Sequence, residues 1–188
     1  DHTNAYLLGD PNGDFVLVDP AAHLREGMED LANAVERHNG TLVALLFTHS
    51  HGDHIGDIGL LREAFDVPIW GSEHTAKSVT CDRILADGEM LSLGATEWEV
   101  LITPGHHPGH VCLLGDAGLI AGDMVAGIGT ILIPPHTGDM EIYIQQLERL
   151  KSRQPHLLFP SHGPVIAQPT QVFERYISHR QARHQRVL

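Results

Sequence analysis

The chain of 188 residues is long enough for one domain, and its 42% hydrophobic and 19% charged residues are typical of globular proteins. No run of about 18 uninterrupted apolar residues occurs, so no membrane span is expected, and no signal peptide is visible. The formal net charge of −12 disfavours binding to nucleic acid, because a negative field repels phosphate backbones. The two cysteines are too few for a disulfide framework, and Cys112 lies in an apolar run as a structural thiol would, which fits a reducing cytoplasm.

Strand and helix patterns alternate along the chain, which indicates the α/β class but leaves the topology open. Apolar or alternating runs predict strands over Thr3–Leu8, Phe15–Val18, Leu42–Phe47, Val67–Trp70, Met90–Leu93, Trp98–Ile102, Val111–Leu114, Leu119–Ala121 and Leu157–Phe159. Apolar residues at helical spacing predict helices over Arg25–His38, Ile55–Phe65 and Asp139–Lys151. A last helix is predicted from Thr170, interpreted as its N-cap.

Side chains that bind metals gather at the ends of predicted strands. Four of them lie within six residues, directly after the buried strand Leu42–Phe47: His49, His51, Asp53 and His54. Three more are found at other strand ends, namely His110, Asp123 and His162. Loops held at strand ends by a rigid scaffold often carry function, so these residues are candidates for one site.

The spacing within the first run favours two metal ions. Residues two apart in an extended segment point the same way, so His49 and His51 can address one metal. Asp53 and His54 turn into the following helix and can address a second metal. Imidazole suits zinc and a carboxylate can bridge two cations, so a shared Asp123 would leave positions open for water, as in catalytic zinc sites.

A solvated loop is the alternative interpretation of the run 49–54 taken alone. A buried structural role is disfavoured, because burying four such side chains unpaired would cost several kcal/mol. The further candidates at three other strand ends make a metal site the better hypothesis.

These motifs resemble those of the metallo-β-lactamase superfamily. THSHGDH (48–54) is similar to its His-x-His-x-Asp-His signature, TPGHHPGH (103–110) to its second histidine motif, GD (122–123) to its bridging aspartate and SHG (161–163) to its last histidine motif. The resemblance covers essentially the whole chain, with the motifs in the family's order. It implies a four-layer αβ/βα sandwich, with two sheets face to face, helices outside and metals at the sheet edges. Residues 1–169 would form this hydrolase domain.

The resemblance also implies a ligand set for each metal. His49, His51 and His110 would hold the first metal, Asp53, His54 and His162 the second, and Asp123 would bridge them. Asp19 matches a family aspartate that supports the site from behind. His106 and His107 are additional candidates, but the resemblance assigns His110, and His106 is interpreted as structural. His107 stands where the family often has threonine, which leaves the local hydrogen bonding open.

Within the superfamily, residues 121–150 resemble the β-lactamase-like protein 2 branch. The ending YISHRQARHQRVL (176–188) resembles the helix that joins that branch's hydrolase domain to a small winged-helix domain. We therefore expect residues 170–188 to form a C-terminal helix that leads to a further domain outside this sequence.

The function implied by the resemblance is hydrolysis with two zinc ions per chain, for which iron or manganese are alternatives. A metal-bridging hydroxide would attack an ester, thioester, lactone or phosphodiester, and the sequence does not choose among them. Asp53 would orient the nucleophile or shuttle its proton. His136 would polarise the substrate or protonate the leaving group, unless it is a surface histidine.

The branch suggests cleavage of RNA, but the net charge of −12 and the lack of an Arg/Lys cluster favour a small-molecule substrate over nucleic acid. A mononuclear iron dioxygenase of the persulfide dioxygenase type is the competing function on this fold. His49, His110 and Asp123 would then form its two-histidine-one-carboxylate triad. The complete second ligand set would need another explanation, which favours the hydrolase. The oligomeric state is left open.

Overall fold

Two five-stranded sheets lie between layers of helices in the computed structural model, which describes residues 2–184. The first sheet contains, in spatial order, β1 (Tyr6–Gly9), β2 (Asp14–Val18), β3 (Thr41–Leu46), β4 (Ile69–Gly71) and β5 (Arg83–Ile84). The second sheet contains, in spatial order, β10 (Leu158–Pro160), β9 (Gly118–Gly122), β8 (Val111–Gly115), β7 (Thr96–Ile102) and β6 (Met90–Leu93). The α-helices are α1 (Arg25–Glu36), α2 (Gly52–Ile55), α3 (Ile58–Ala64), α4 (Met140–Ser152) and α5 (Pro169–His184).

Strand directions bring several loops to one edge of the molecule. β2, β3, β4 and β5 run parallel, with β1 antiparallel at the edge, whereas β9 and β10 form the parallel pair of the second sheet. The backbone N–H of Val111, which begins β8, donates to the carbonyl of Thr48, which follows β3, over 2.8 Å. The loop after β3 therefore meets the loop between β7 and β8.

Alternating strand side chains build three apolar layers. Val16 and Val18 of β2 face the second sheet, where they join Val100 of β7 in the central layer. Leu17, which lies between them in sequence, packs with helix residues such as Leu61 of α3. On the far face of the second sheet, strand residues pack with Tyr143, Leu147 and Phe173 from α4 and α5. This arrangement confirms the predicted αβ/βα sandwich.

The helix predicted over Ile55–Phe65 corresponds to α3, which begins only at Ile58, because Ile55 is the last residue of the separate helix α2. Gly56 separates them with a φ of 60°, a conformation that other residues rarely adopt. A Cβ atom there would lie 2.4 Å from the carbonyl oxygen of Ala22, so the chain turns where only glycine fits. Asp57 then starts α3 by accepting a hydrogen bond from the N–H of Leu60 over 3.0 Å.

The last helix, α5, begins at Pro169, so Thr170 lies inside the first turn and is not the N-cap. Proline suits the first helical position, because the N–H that it lacks has no partner there. Phe173, Tyr176 and Ile177 bury one face of α5 against the second sheet's outer layer. The predicted passage from residues 170–188 into a further domain stays a prediction, and residues 185–188 lie outside the described part. Among residues 2–184, no helix has both the length and the apolarity that a membrane span requires.

Candidate metal centre

Histidines and aspartates from both sheets meet at the edge where the two loops touch. They come from four places: the segment 49–54 after β3, His106 between β7 and β8, Asp123 after β9 and His162 after β10. A cavity of about 850 Å³ opens onto them and is lined by His51, Asp53, His106, Asp123 and His162. The site therefore combines residues that are up to 113 positions apart, from His49 to His162.

The first group, here called the imidazole triad, consists of His49, His51 and His106. Nε2 of His49 lies 2.9 Å from Nδ1 of His51 and 3.3 Å from Nε2 of His106. Nε2 of His106 lies 3.1 Å from Nδ1 of His51. Nitrogens that bind one tetrahedral zinc ion at the usual bond length are about 3.3 Å apart, so the triad matches three corners of such a site.

Hydrogen bonds behind two of the triad rings fix which nitrogen faces the site. Thr48 Oγ1 donates to Asp19 Oδ2 over 2.6 Å and therefore accepts from His49 Nδ1 over 3.0 Å. Nδ1 of His106 donates to the carbonyl of Leu132 over 2.7 Å. The two Nε2 atoms consequently face each other with lone pairs and no hydrogen between them. Two lone pairs at this distance repel each other unless a cation, or a hydrogen donated by Nδ1 of His51, lies beside them.

Burial sets the protonation of the triad. It lowers the pKa of His49 well below the ordinary value for histidine, and neighbouring imidazoles such as His54 add to this effect. Burial likewise lowers the pKa of His51 and His106. The triad is therefore held in the neutral form, which is the form that binds metals.

The second group, here called the mixed cluster, consists of Asp53, His54 and His162. Oδ2 of Asp53 lies 3.6 Å from Nε2 of His162 and 3.8 Å from Nε2 of His54. Asp53 is the exposed member, with 59% of its side chain accessible, whereas the His54 side chain is fully buried. The mixed cluster thus reaches from the protein interior to the mouth of the cavity.

Asp123 lies between the two groups and turns one carboxylate oxygen to each. Its Oδ1 is 3.3 Å from Nε2 of His162 and 3.6 Å from Nε2 of His54. Its Oδ2 is 3.4 Å from Nε2 of His106 in the imidazole triad. A carboxylate in this position is suited to bridge two cations.

Two buried atoms beside the mixed cluster lack a hydrogen-bond partner among the described residues: Nε2 of His54 and Oδ1 of Asp123. Nδ1 of His54 pairs with Asp19 Oδ2 over 2.9 Å, so the unpaired Nε2 can present its lone pair to the site. Leaving a buried polar atom unpaired costs about 1–3 kcal/mol. A bound cation would remove this cost, so the residues present fit the metals that the fold family implies.

Carboxylates give the mixed cluster a different electrostatic character from the triad. Burial alone would lower the pKa of His54, but Asp19 and Asp123 raise it to about 10. Contact with Asp123 also raises the pKa of His162. Burial would raise the pKa of Asp123, but the adjoining His162 and His54 hold it below its usual range. Without a metal, protons take the place of the cation in this cluster.

The His110 ring lies near His49, but the ring nitrogen that converges on those of His49 and His51 belongs to His106, so the geometry departs from the expected ligand set. Both nitrogens of His110 are already engaged. Its Nε2 accepts from the backbone N–H of Asp123 over 2.9 Å, so its Nδ1 donates to Thr103 Oγ1 over 2.8 Å. His110 therefore holds the chain that carries Asp123 and does not face the site.

Gly122 makes the approach of His110 possible. Its φ is 51°, and a Cβ atom there would lie 2.4 Å from Nε2 of His110. The GD motif at 122–123 therefore needs its glycine as much as its aspartate, because only glycine lets His110 reach the N–H of Asp123.

Two further contacts brace the loops, and the sequence pattern predicts neither. Nδ1 of His107 accepts from the N–H of Gly109 over 3.1 Å, so its Nε2 donates to Ser50 Oγ over 3.1 Å. Burial, together with the nearby His51 and His106, lowers the pKa of His107 to about 4, which keeps it neutral in this role. The histidine that stands where the family often has threonine thus joins the loop 103–110 to the loop after β3.

Asn4 forms the second brace, on the loop that carries His162. Its Nδ2 donates to the carbonyls of Pro160 over 3.0 Å and Gly163 over 2.8 Å. Its backbone N–H donates to the carbonyl of Ser161 over 2.7 Å. The N-terminal segment therefore holds both sides of the fourth ligand loop.

Asp19 supports the site from behind, as the resemblance implies. It is 1% exposed and accepts from the backbone N–H of Thr48 over 2.8 Å, besides its contacts with Thr48 Oγ1 and His54. His136, by contrast, is exposed on the loop after β9 and does not line the cavity at the metal residues.

Comparison with known proteins shows the family to which this sequence is similar. The sequence matches the Metallo-beta-lactamase superfamily over residues 1–80 and 82–162. It is 28% identical over 199 residues to the Beta-lactamase-like protein 2 homolog of Drosophila melanogaster, covering 99% of this chain and 67% of that protein. It is also 28% identical over 190 residues to the Atrochrysone carboxyl ACP thioesterase of Aspergillus fumigatus, covering 99% and 58%. This chain therefore spans about two thirds or less of these curated relatives.

A solved structure supports the fold independently. The metallo-beta-lactamase family protein from Thermus thermophilus superposes with a TM-score of 0.82 at 22% identity, covering 99% of this chain and 77% of that one. The family match ends at residue 162, before α5, and residues of the four motifs at 48–54, 103–110, 122–123 and 161–163 line one cavity. The chain belongs to the metallo-beta-lactamase superfamily, and its similarity to Beta-lactamase-like protein 2 homologs confirms the resemblance predicted from its motifs.

Proposed function

We propose that this chain is a dinuclear zinc hydrolase. The observation that carries the proposal is the placement of Asp123, which turns Oδ2 to the imidazole triad and Oδ1 to the mixed cluster. Two sets of converging lone pairs that share one carboxylate are suited to two cations and do not suit one. Iron or manganese remain alternatives to zinc, because imidazole and carboxylate ligands accept all three.

The proposed ligand set differs from the one inferred from sequence at one position. His49, His51 and His106 would hold the first metal, Asp53, His54 and His162 the second, and Asp123 would be shared. Divalent cations held by these residues would supply Lewis acidity and would lower the pKa of coordinated water to about 7. His110 is assigned to positioning Asp123.

The residues of the chain divide the remaining tasks by exposure. Asp53 is the accessible carboxylate of the site, so it can orient an incoming water molecule and pass its proton to solvent. Asp19 holds the His54 ring in one orientation and keeps its Nε2 aimed inward. His136 is not part of the cavity lining, so we propose that solvent or Asp53 protonates the leaving group.

An acyl compound is the substrate class that we favour, as an ester, thioester or lactone of small size. The Aspergillus relative is a thioesterase by name, and the net charge of −12 disfavours a polyanion such as RNA.

The two free cysteines, Cys81 and Cys112, fit a reducing cytoplasm. A mononuclear iron dioxygenase would leave the unpaired atoms beside the mixed cluster without a role.

Elemental analysis and a substrate panel test this proposal together. Protein purified without added metal should contain close to two zinc ions per chain and hydrolyse at least one of a thioester, a lactone and a phosphodiester. Hydrolysis should stop on chelation and return with zinc. One iron per chain with oxygen consumption would overturn the proposal.

A further inference from the structure

An apolar surface lies directly beside the metal centre. It belongs to the loop between β9 and α4 and is here called the apolar wall, formed by Ala126, Ile128, Ile131, Leu132 and Pro134. Ile128 is 73% exposed and Leu132 is 72% exposed, although both are large and hydrophobic. The wall lines the same cavity of about 850 Å³ as the metal-binding residues. Exposed apolar residues grouped at a site mark a binding surface.

The backbone of the apolar wall is anchored to the metal centre and to α5. The N–H of Gly127 donates to the carbonyl of His162 over 2.8 Å, and the carbonyl of Leu132 accepts from His106 over 2.7 Å. The N–H of Ala126 donates to the hydroxyl of Tyr176 over 3.0 Å. Two residues of the metal centre thus hold the two ends of the wall. A surface fixed before binding loses little entropy when a ligand arrives.

Arg180 of α5 anchors the middle of the wall and is occupied in doing so. It is 7% exposed and donates to Thr130 Oγ1 over 3.0 Å and to the carbonyl of Ile131. Among residues 2–184, no lysine or arginine lines this cavity, and its only carboxylates there are Asp53 and Asp123 of the metal centre. A negatively charged substrate tail lying on the wall would therefore meet no cationic side chain of the cavity lining, whereas a neutral apolar chain would be complementary to it. Arg175 lines a separate cavity that shares only Gly129 and Thr130 with this one.

We propose that the apolar wall binds the acyl chain of the substrate, and that the metal centre consequently prefers esters and thioesters of long neutral acyl groups. This inference rests on the proposed hydrolase function. In the reaction, water adds across the carbonyl–sulfur or carbonyl–oxygen bond, which breaks. The acyl group takes the hydroxyl and the leaving thiol or alcohol takes the proton. Ile128 and Leu132 are the specificity-determining residues.

A series of thioesters with acetyl, butyryl, hexanoyl and octanoyl groups tests the proposal on the zinc-loaded protein. We expect kcat/KM to rise at least about tenfold from acetyl to octanoyl, as each methylene finds apolar surface. Succinyl thioester should react more slowly than butyryl thioester, because its added carboxylate would lie against the apolar wall, where no lysine or arginine lines the cavity. A flat series, or a preference for succinyl, would overturn the proposal.

The double variant Ile128→Ala/Leu132→Ala assigns any chain-length preference to the wall. We expect the ratio of octanoyl to acetyl kcat/KM to fall about tenfold. Leu24→Ala/Ile84→Ala is the matched control, because these side chains are 71% and 49% exposed but lie outside the cavity lining. The control should keep the wild-type ratio. An equal loss in both double variants would contradict the role of the wall.

A binding measurement separates this proposal from the proposed hydrolase function. An octyl thioether analogue cannot be hydrolysed, and calorimetry should show that it binds the wild type about tenfold more tightly than the Ile128→Ala/Leu132→Ala variant. Equal binding to both would overturn the wall as the acyl site even if hydrolysis occurs. If the analogue discriminates but no substrate is cleaved, the hydrolase function fails and the acyl site stands. Cleavage of bis(p-nitrophenyl) phosphate alone, with equal analogue binding, would support the hydrolase and reject the acyl site.

Discussion

The imidazole triad and the mixed cluster both adjoin Asp123, but the two groups differ in the protonation state of their histidines. The triad of His49, His51 and His106 brings neutral nitrogens within 3.3 Å of one another, and burial keeps them neutral. The mixed cluster surrounds His54 with carboxylates, which raise its pKa to about 10. The triad is therefore ready for a metal at neutral pH, whereas the mixed cluster must first release a proton.

The difference extends to how each group is held. The triad is braced by a contact between its own two loops, from His107 to Ser50, and by a contact from His106 to the backbone of Leu132 in the loop between β9 and α4. The loop of His162 in the mixed cluster is held by Asn4, at the opposite end of the chain. Substitutions should consequently affect the two groups separately, except at the residue that they share.

Removal of the shared carboxylate should have the largest effect. Asp123→Ala should lower kcat/KM at least about a thousandfold, because metal-ion stabilisation is worth several kcal/mol. Elemental analysis should show fewer than two zinc ions per chain. Asp116→Ala is the matched control, since Asp116 is exposed in the turn between β8 and β9. Full zinc content in Asp123→Ala would refute the bridging role.

Paired substitutions in the motif TPGHHPGH should distinguish ligand from support. His106→Ala should reduce zinc content from two to about one per chain and lower kcat/KM at least about a hundredfold, with the fold retained. His110→Ala should instead destabilise the protein by about 1–3 kcal/mol in urea unfolding, because the N–H of Asp123 loses its partner. Loss of zinc in His110→Ala together with full zinc content in His106→Ala would identify His110 as the ligand.

Removing the hydrogen bonds that hold the loop of His162 should weaken zinc binding at the mixed cluster alone. Asn4→Ala removes two hydrogen bonds beside His162 and should lower zinc affinity of the weaker site about tenfold or more, with the tighter site unchanged. Competition with a chromophoric chelator measures both affinities. Asn33→Ala, on the exposed surface of α1, is the control. Equal weakening of both sites would show that the brace is not specific to the mixed cluster.

The response of each group to pH should distinguish the two groups without any substitution. Below about 10, the pKa of His54 in the metal-free protein, zinc must displace a proton from the mixed cluster. The affinity of the mixed cluster for zinc should fall about tenfold for each unit by which the pH is lowered from about 9 to about 7. The imidazole triad should not respond in this range, because its pKa values lie below the ordinary value for histidine. Parallel curves for both zinc ions would remove the electrostatic distinction.

Local pattern accounts for most of the architecture and for one ligand segment. The apolar run of β3 ends directly before the histidines, so the local sequence predicts both the strand and the cluster at its end. Strand β5 is not predicted, because two residues carry too little pattern. The break between α2 and α3 is not predicted either, because Gly56 turns the chain against Ala22, a neighbour that is distant in sequence.

By itself, the sequence determined the α/β class, most of the strands and helices and the presence of a histidine- and aspartate-rich site, because these follow from periodicity and short spacing. Only the tertiary structure decided whether His106 or His110 faces the other histidines, since the two have the same chemistry four residues apart. The choice depends on where the loop meets Leu132 and the N–H of Asp123. The tertiary structure also placed Asn4 against residues up to 159 positions away and the apolar wall beside the metal centre. Such contacts depend on how two sheets pack, and no local pattern encodes them.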